Sequence, residues 1–86
     1  MTKHNRIWFI TGASKGLGYT FTRAALEAGD RVVAAARTIS TLDTLKEKYP
    51  DSLLPMELDV RSRESVFTVV KAAVEHFGRL DIIVNN

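Results

Sequence analysis

Three glycines, at positions 12, 16 and 18, and a lysine at 15 fall between an apolar run and a helix-like pattern in the stretch FITGASKGLGYTF, residues 9 to 21. A turn so bare of side chains lets backbone N–H groups approach something that brings its own acceptors. At the start of a helix the first N–H groups have no partner inside the helix, and the dipole there is positive, so the natural guest is an anion such as a phosphate. On this reading Gly12 permits a sharp exit from a strand, Gly16 lets the backbone approach a pyrophosphate, and Gly18 lets the helix pack closely. Lys15 adds a cation. The same glycines are also compatible with turn chemistry alone.

Four apolar runs and three amphipathic stretches must position that turn. IWFIT (7 to 11) and RVVAAA (31 to 36) are apolar without alternation, as strands covered on both faces are. Between them Leu17, Phe21, Ala24, Ala25 and Ala28 follow a helical spacing and predict the inward face of a first helix, with Gly29 as its left-handed terminator. Ser40 or Thr41 is expected to cap a short helix with Leu42, Leu45 and Tyr49 inward, closed by YPD. LLPMEL (53 to 58) predicts a third strand, at a sheet edge because Pro55 has no N–H to donate. Ser62 is expected to cap a helix carrying Val66, Val70, Ala73, Val74 and Phe77, ended by Gly78, and DIIVNN (81 to 86) reads as a fourth, buried strand.

Strands covered on both faces and joined by helices run parallel, with right-handed crossovers. The fold class expected is therefore α/β: a Rossmann-like, doubly wound parallel sheet. Its dinucleotide-binding strand order, 3-2-1-4, puts the Pro55 strand at the edge.

Composition narrows the function classes. The 86 residues suffice for one small domain, and 45% hydrophobic content argues against disorder. A net charge of +2, from cations scattered along the chain, makes no stripe for a nucleic-acid backbone. The absence of cysteine excludes a disulfide framework and thiolate metal sites. His4 and His76 have no acidic or cysteine partners at ligand spacing, so no metal is expected. MTKHNR leads into too short an apolar run for a signal peptide or membrane span, and a cytoplasmic protein without nucleic-acid or membrane partners is the expectation. Asp59, at the end of the third strand, stands where receiver domains carry a phosphoacceptor. Those domains also need an acidic pair after the first strand, where this chain has Thr11-Gly12.

The spacing Gly12-x-x-x-Gly16-x-Gly18 differs from both G-x-G-x-x-G and the P-loop. TGASKGLG (Thr11 to Gly18) instead resembles the T-G-x-x-x-G-x-G motif of the short-chain dehydrogenase/reductase family. AAAR (34 to 37), LDV (58 to 60) and the NN of Asn85-Asn86, similar to the start of N-N-A-G, extend the resemblance along essentially the whole chain. The resemblance implies a nicotinamide cofactor. It makes Gly12, Ser14, Lys15, Gly16, Leu17 and Gly18 the pyrophosphate turn, sets Asp59 and Val60 around the adenine, and has the Asn85–Asn86 pair stabilise the sheet while contacting the cofactor near its ribose, Asn86 above all. Residue by residue, Asp59 could simply begin the turn before Ser62, and the asparagines could be polar residues at a strand end.

NAD selection requires an acidic residue after the second strand, to accept from the ribose 2′-hydroxyl. Here the strand ends Ala34-Ala35-Ala36-Arg37, with Arg37 about 20 residues past the glycine turn. A guanidinium binds a 2′-phosphate with two charge-assisted bonds, and Lys15 can reach it from the other side. The pair resembles the NADP-preferring members of the family; ordinary surface cations are the alternative.

The family's chemistry needs a serine and a Y-x-x-x-K pair, but four residues after Tyr19 stands Arg23, and four after Tyr49 stands Leu53. Residues 1–86 are thus expected to be the N-terminal half of one dinucleotide-binding domain, with its catalytic half absent. The intact protein is expected to be an NADP-dependent oxidoreductase, a homo-oligomer acting on a small-molecule carbonyl or alcohol. The rival is a non-catalytic NADP-binding module; the extended epimerases are set aside because they carry G-x-x-G-x-x-G. An isolated 86-residue chain is expected to be catalytically inert, and to associate through the open edge of its fourth strand, aggregate or remain only partly folded.

Overall fold

The computed structural model describes residues 6–86; the first five residues, MTKHN, and with them His4, lie outside these. The elements follow the expected order: β1 (Ile7–Thr11), α1 (Gly16–Glu27), β2 (Arg31–Ala36), a 3₁₀ turn (Ser40–Leu42) running into α2 (Asp43–Lys48), β3 (Leu53–Glu57), α3 (Arg63–Phe77) and β4 (Ile82–Val84). The sheet is parallel with strand order β3-β2-β1-β4, and Trp8 is in register with both Val32 and Ile82. Pro55 lies in β3, at the edge, where its missing N–H costs no ladder bond.

Alternation along the strands divides the core between the two faces. Ile10, Val32, Ala34 and Leu53 pack with Ala25 and Leu26 of α1, with Leu42 of the 3₁₀ turn and with Leu45 of α2. Phe9, Val33 and Ala35 pack on the other face with Val69 and Ala73 of α3. Each large aliphatic side chain fully buried here contributes about 1.5–3 kcal/mol. This is the doubly wound arrangement expected from the apolar strands.

The start of β1 is fastened from both sides. Asp30, 4% exposed, accepts from the Arg6 N–H at 3.1 Å and the Trp8 indole N–H at 2.9 Å. Asp81 accepts from the Ile7 N–H at 2.9 Å. That bond, and then its contact with Arg79, lowers the pKa of Asp81 from the ordinary 3.8.

Four details differ from the sequence reading. The buried face of α1 is Gly18, Thr22, Ala25 and Leu26; Leu17 and Phe21 are 63% and 42% exposed. The close approach of Gly18 to the turn before it fixes the helix rotation, and residues 22, 25 and 26 share that face. In α3, Val69 is buried whereas Val74 is 38% exposed. Neither Ser40 nor Thr41 caps α2, whose N-cap is Leu42; the Thr41 hydroxyl instead bonds to the glycine turn. β4 is shorter and less buried than DIIVNN implied: Ile83, in register with Phe9 on the face where α3 packs, is 64% exposed at the margin of the sheet. Ser62 caps α3, its oxygen accepting from the Ser65 N–H at 3.1 Å, and Gly78 ends that helix at φ +95°.

Candidate functional site

Thr11 and Gly12 leave β1 at the C-terminal end of the sheet, beside the point where the strand order reverses between β2-β1 and β4. Open α/β sheets hold ligands at that point. A cleft of about 580 Å³ lies there. It is lined by Thr11, Gly12, Ser14 and Lys15 after β1, and by Ala35, Ala36, Arg37, Thr38 and Thr41 at and after β2. Leu58 and Val60 after β3, and Asn85 and Asn86 after β4, complete it.

Each glycine of the turn has its own physical reason. Gly12 has φ +62°, and a Cβ there would meet the Asn86 side-chain nitrogen at 2.9 Å. A Cβ on Gly18 would stand 2.1 Å from the Gly12 carbonyl oxygen, so only glycine lets α1 start this close to the turn. Gly16 has φ +61° and open space where its side chain would be. The clearance leaves its backbone accessible, but a Gly16→Val change would strain the chain and is not a clean probe of ligand contact. The N-cap of α1, Lys15, makes no side-chain cap bond and the first turn holds no acidic residue, so the positive helix end faces outward uncompensated.

The Thr11 hydroxyl joins the ends of β1 and β4. It accepts from the Asn86 N–H at 3.0 Å and lies 3.4 Å from the Val84 carbonyl and 3.3 Å from the Asn85 side-chain oxygen. Asn86 returns a side-chain bond to the Gly12 carbonyl at 3.4 Å. Asn86 thus braces the glycine turn through the Gly12 carbonyl, a particular contact within the sheet-stabilising role that the resemblance implied for the asparagine pair.

Lys15 and Arg37 share the cleft, and neither side chain has an ion-pair or hydrogen-bond partner among the described residues. Freedom alone does not distinguish them, because Arg63 and Lys71 are equally unpaired. Their common cavity does. No acidic residue lines it.

Of the residues singled out from the sequence, Gly12, Ser14, Lys15, Arg37, Val60 and Asn86 come together on this cleft, whereas Gly16, Leu17 and Gly18 lie outside its lining. Asp59 borders an adjoining depression that also touches Arg37. Its carboxylate is gripped by Arg61, at 3.0 Å from Nε and 2.9 Å from Nη2, and accepts from the Arg61 N–H. Those bonds, the side-chain pair first, hold the Asp59 carboxyl far below the ordinary 3.8. The turn role open to Asp59 from the sequence is therefore realised. Sequence reasoning missed Thr38 and Thr41. Thr41 resembled a helix cap, and no local signal marks a bond to Ser14, 27 residues away.

Comparison with known proteins places this geometry. A model of the short chain dehydrogenase family matches residues 6–86. "Oxidoreductase BOA17" of Botryotinia fuckeliana is 44% identical over 82 residues, covering 94% of this chain and 30% of that protein. A short-chain dehydrogenase from Streptomyces avermitilis superposes with a TM-score of 0.92 at 40% identity, over 94% of this chain and 30% of its own. The 3-ketoacyl-(acyl-carrier-protein) reductase of Brucella melitensis, solved with NADH, superposes at 0.86 with 26% identity, over 95% of this chain and 34% of that one. The chain spans about a third or less of the length of these relatives.

Proposed function

Because the chain belongs to the short chain dehydrogenase family, we propose that residues 1–86 are the N-terminal half of the dinucleotide-binding domain of an NADP-dependent oxidoreductase. The whole protein transfers a hydride between the nicotinamide and the carbonyl or alcohol carbon of a small molecule. The cofactor supplies the hydride chemistry; the residues of this chain bind and orient it. Backbone N–H groups at the start of α1, at Gly16 and Leu17, receive the pyrophosphate, and Gly18 lets the helix start close enough to the turn for them to do so. Lys15 and Arg37 hold the 2′-phosphate from two sides, with Ser14 beside them. Val60 and the Asp59–Arg61 turn border the adenine, and Asn86 stands toward the ribose.

The observation that supports NADP is the pair of cations on one cleft whose lining holds no carboxylate. A carboxylate after β2 would repel a 2′-phosphate, and Arg37 stands there instead. The NADH in the Brucella melitensis structure is a property of that protein. Titrating the full-length protein with NADPH and NADH tests the assignment. Losing hydrogen bonds to a charged group costs about 1.5–3 kcal/mol. Arg37→Ala should therefore weaken NADPH binding about tenfold to a hundredfold and leave NADH nearly unchanged. Equal losses for both cofactors would refute the assignment.

A further inference from the structure

We infer that Thr41 is a positioning residue for cofactor selection, fastening the β2–α2 connection to the glycine turn so that Lys15 and Arg37 face one phosphate. The inference rests on the 2′-phosphate reading above. The Thr41 hydroxyl donates to the Ser14 carbonyl at 3.1 Å, across 27 residues of chain. Ser14 immediately precedes Lys15, and Thr41 lies four positions after Arg37, so the bond joins the two segments that bear the cations. All four residues line the same cleft.

Ala13 and Leu42, both 0% exposed, share one apolar cluster that Ile39 packs against, but the Thr41–Ser14 bond is the side-chain hydrogen bond joining the two segments among the described residues. The Ala13 N–H donates to the Ala35 carbonyl at 3.1 Å, but both of those residues lie nearer the sheet than the cations do. The hydroxyl is not needed for capping, because α2 takes Leu42 as its N-cap without a side-chain bond. Lys15 and Arg37 are exposed and long, and neither makes a hydrogen bond or ion pair among the described residues, although Arg37 also borders Asp59 and Glu57, so binding a phosphate between them means ordering both. A bond that already sets the separation of their backbones lowers that cost for the 2′-phosphate alone, because NADH offers nothing for the pair to hold.

Affinities of the full-length protein for NADPH and NADH, measured by fluorescence titration, test this. Thr41→Val keeps the shape and removes the donor. A neutral hydrogen bond sets the scale, so NADPH should bind roughly two- to tenfold more weakly while NADH stays within about twofold. Thr41→Ser should restore NADPH binding. A double-mutant cycle with Lys15→Met should give less than additive losses, since Thr41 acts through the placement of Lys15. Additive losses would mean that Thr41 contacts the phosphate independently and would overturn the inference. So would an unaltered NADPH affinity in Thr41→Val alongside a weakened Arg37→Ala. If Arg37→Ala itself leaves NADPH binding intact, the 2′-phosphate reading falls and takes this inference with it.

Discussion

Gly18→Ala tests the geometry of the glycine turn most directly. The added methyl would sit 2.1 Å from the Gly12 carbonyl oxygen, 2.7 Å from its carbon and 2.8 Å from the Asn86 side-chain nitrogen. Two of these atoms are backbone and cannot swing aside, so α1 and the turn must part by more than about 1 Å to reach ordinary contact. Overpacking of this kind costs about 1–3 kcal/mol. The displaced Gly12 carbonyl would also lose its bond from Asn86, about 0.5–1.5 kcal/mol more. The total, roughly 2–4 kcal/mol, corresponds in a full-length protein of the relatives' size, about three times this chain, to a fall in Tm of about 4–16 °C. Gly78→Ala is the contrasting control: Gly78, unlike Gly18, has a positive φ, +95°, and nothing lies within 4 Å of the new methyl, so a backbone cost of about 1–2 kcal/mol applies without any clash. Thermal melts of both variants, with NADPH titrations at a temperature where each is folded, give the comparison. Gly18→Ala melting no lower than Gly78→Ala, with unchanged NADPH affinity, would refute the close approach of helix and turn.

Two further expectations concern the start of the sheet. Asp30→Ala leaves the Arg6 N–H and the Trp8 indole N–H without their acceptor in a site only 4% exposed. It should destabilise the fold by about 2–4 kcal/mol, with Asp30→Asn losing less, as urea unfolding would measure. Asp81 has its pKa lowered by the Ile7 N–H and Arg79, so its contribution to stability is present above the unfolded value and is lost as pH falls through the folded one. Wild type should therefore shed stability relative to Asp81→Asn as pH drops from about 5 to below 4; parallel pH profiles for the two proteins would contradict this.

The strand order, the edge position of β3 and the cap of α3 were legible because each depends on local chemistry. Pro55 has no N–H, Ser62 offers an oxygen three residues before an unpaired donor, and unbroken apolar runs need two covered faces. The rotation of α1 was less legible, since Leu17 and Phe21 have the spacing of an inward stripe and yet lie outward. Gly18 held the clue: a glycine placed for close packing must face what it packs against, and Thr22, Ala25 and Leu26 follow from it.

The sequence by itself determined the alternation of strands and helices, the bare turn at Gly12–Gly18 and the presence of Lys15 and Arg37 about 20 residues apart. These are properties of residue type and period, which a linear chain displays. Only the tertiary structure decided which residues share the cleft, that Asn86 braces Gly12, that Arg61 takes up the Asp59 carboxylate and that Thr41 reaches Ser14. The Asn86 and Thr41 bonds link residues 74 and 27 positions apart, and Asp59 and Arg61, though only two apart, depend on the conformation of the turn between them. Side-chain hydrogen bonding between distant segments has no periodicity to read. A threonine bonds whatever acceptor the packed sheet brings within about 3 Å, and that is fixed only once the strands are in register.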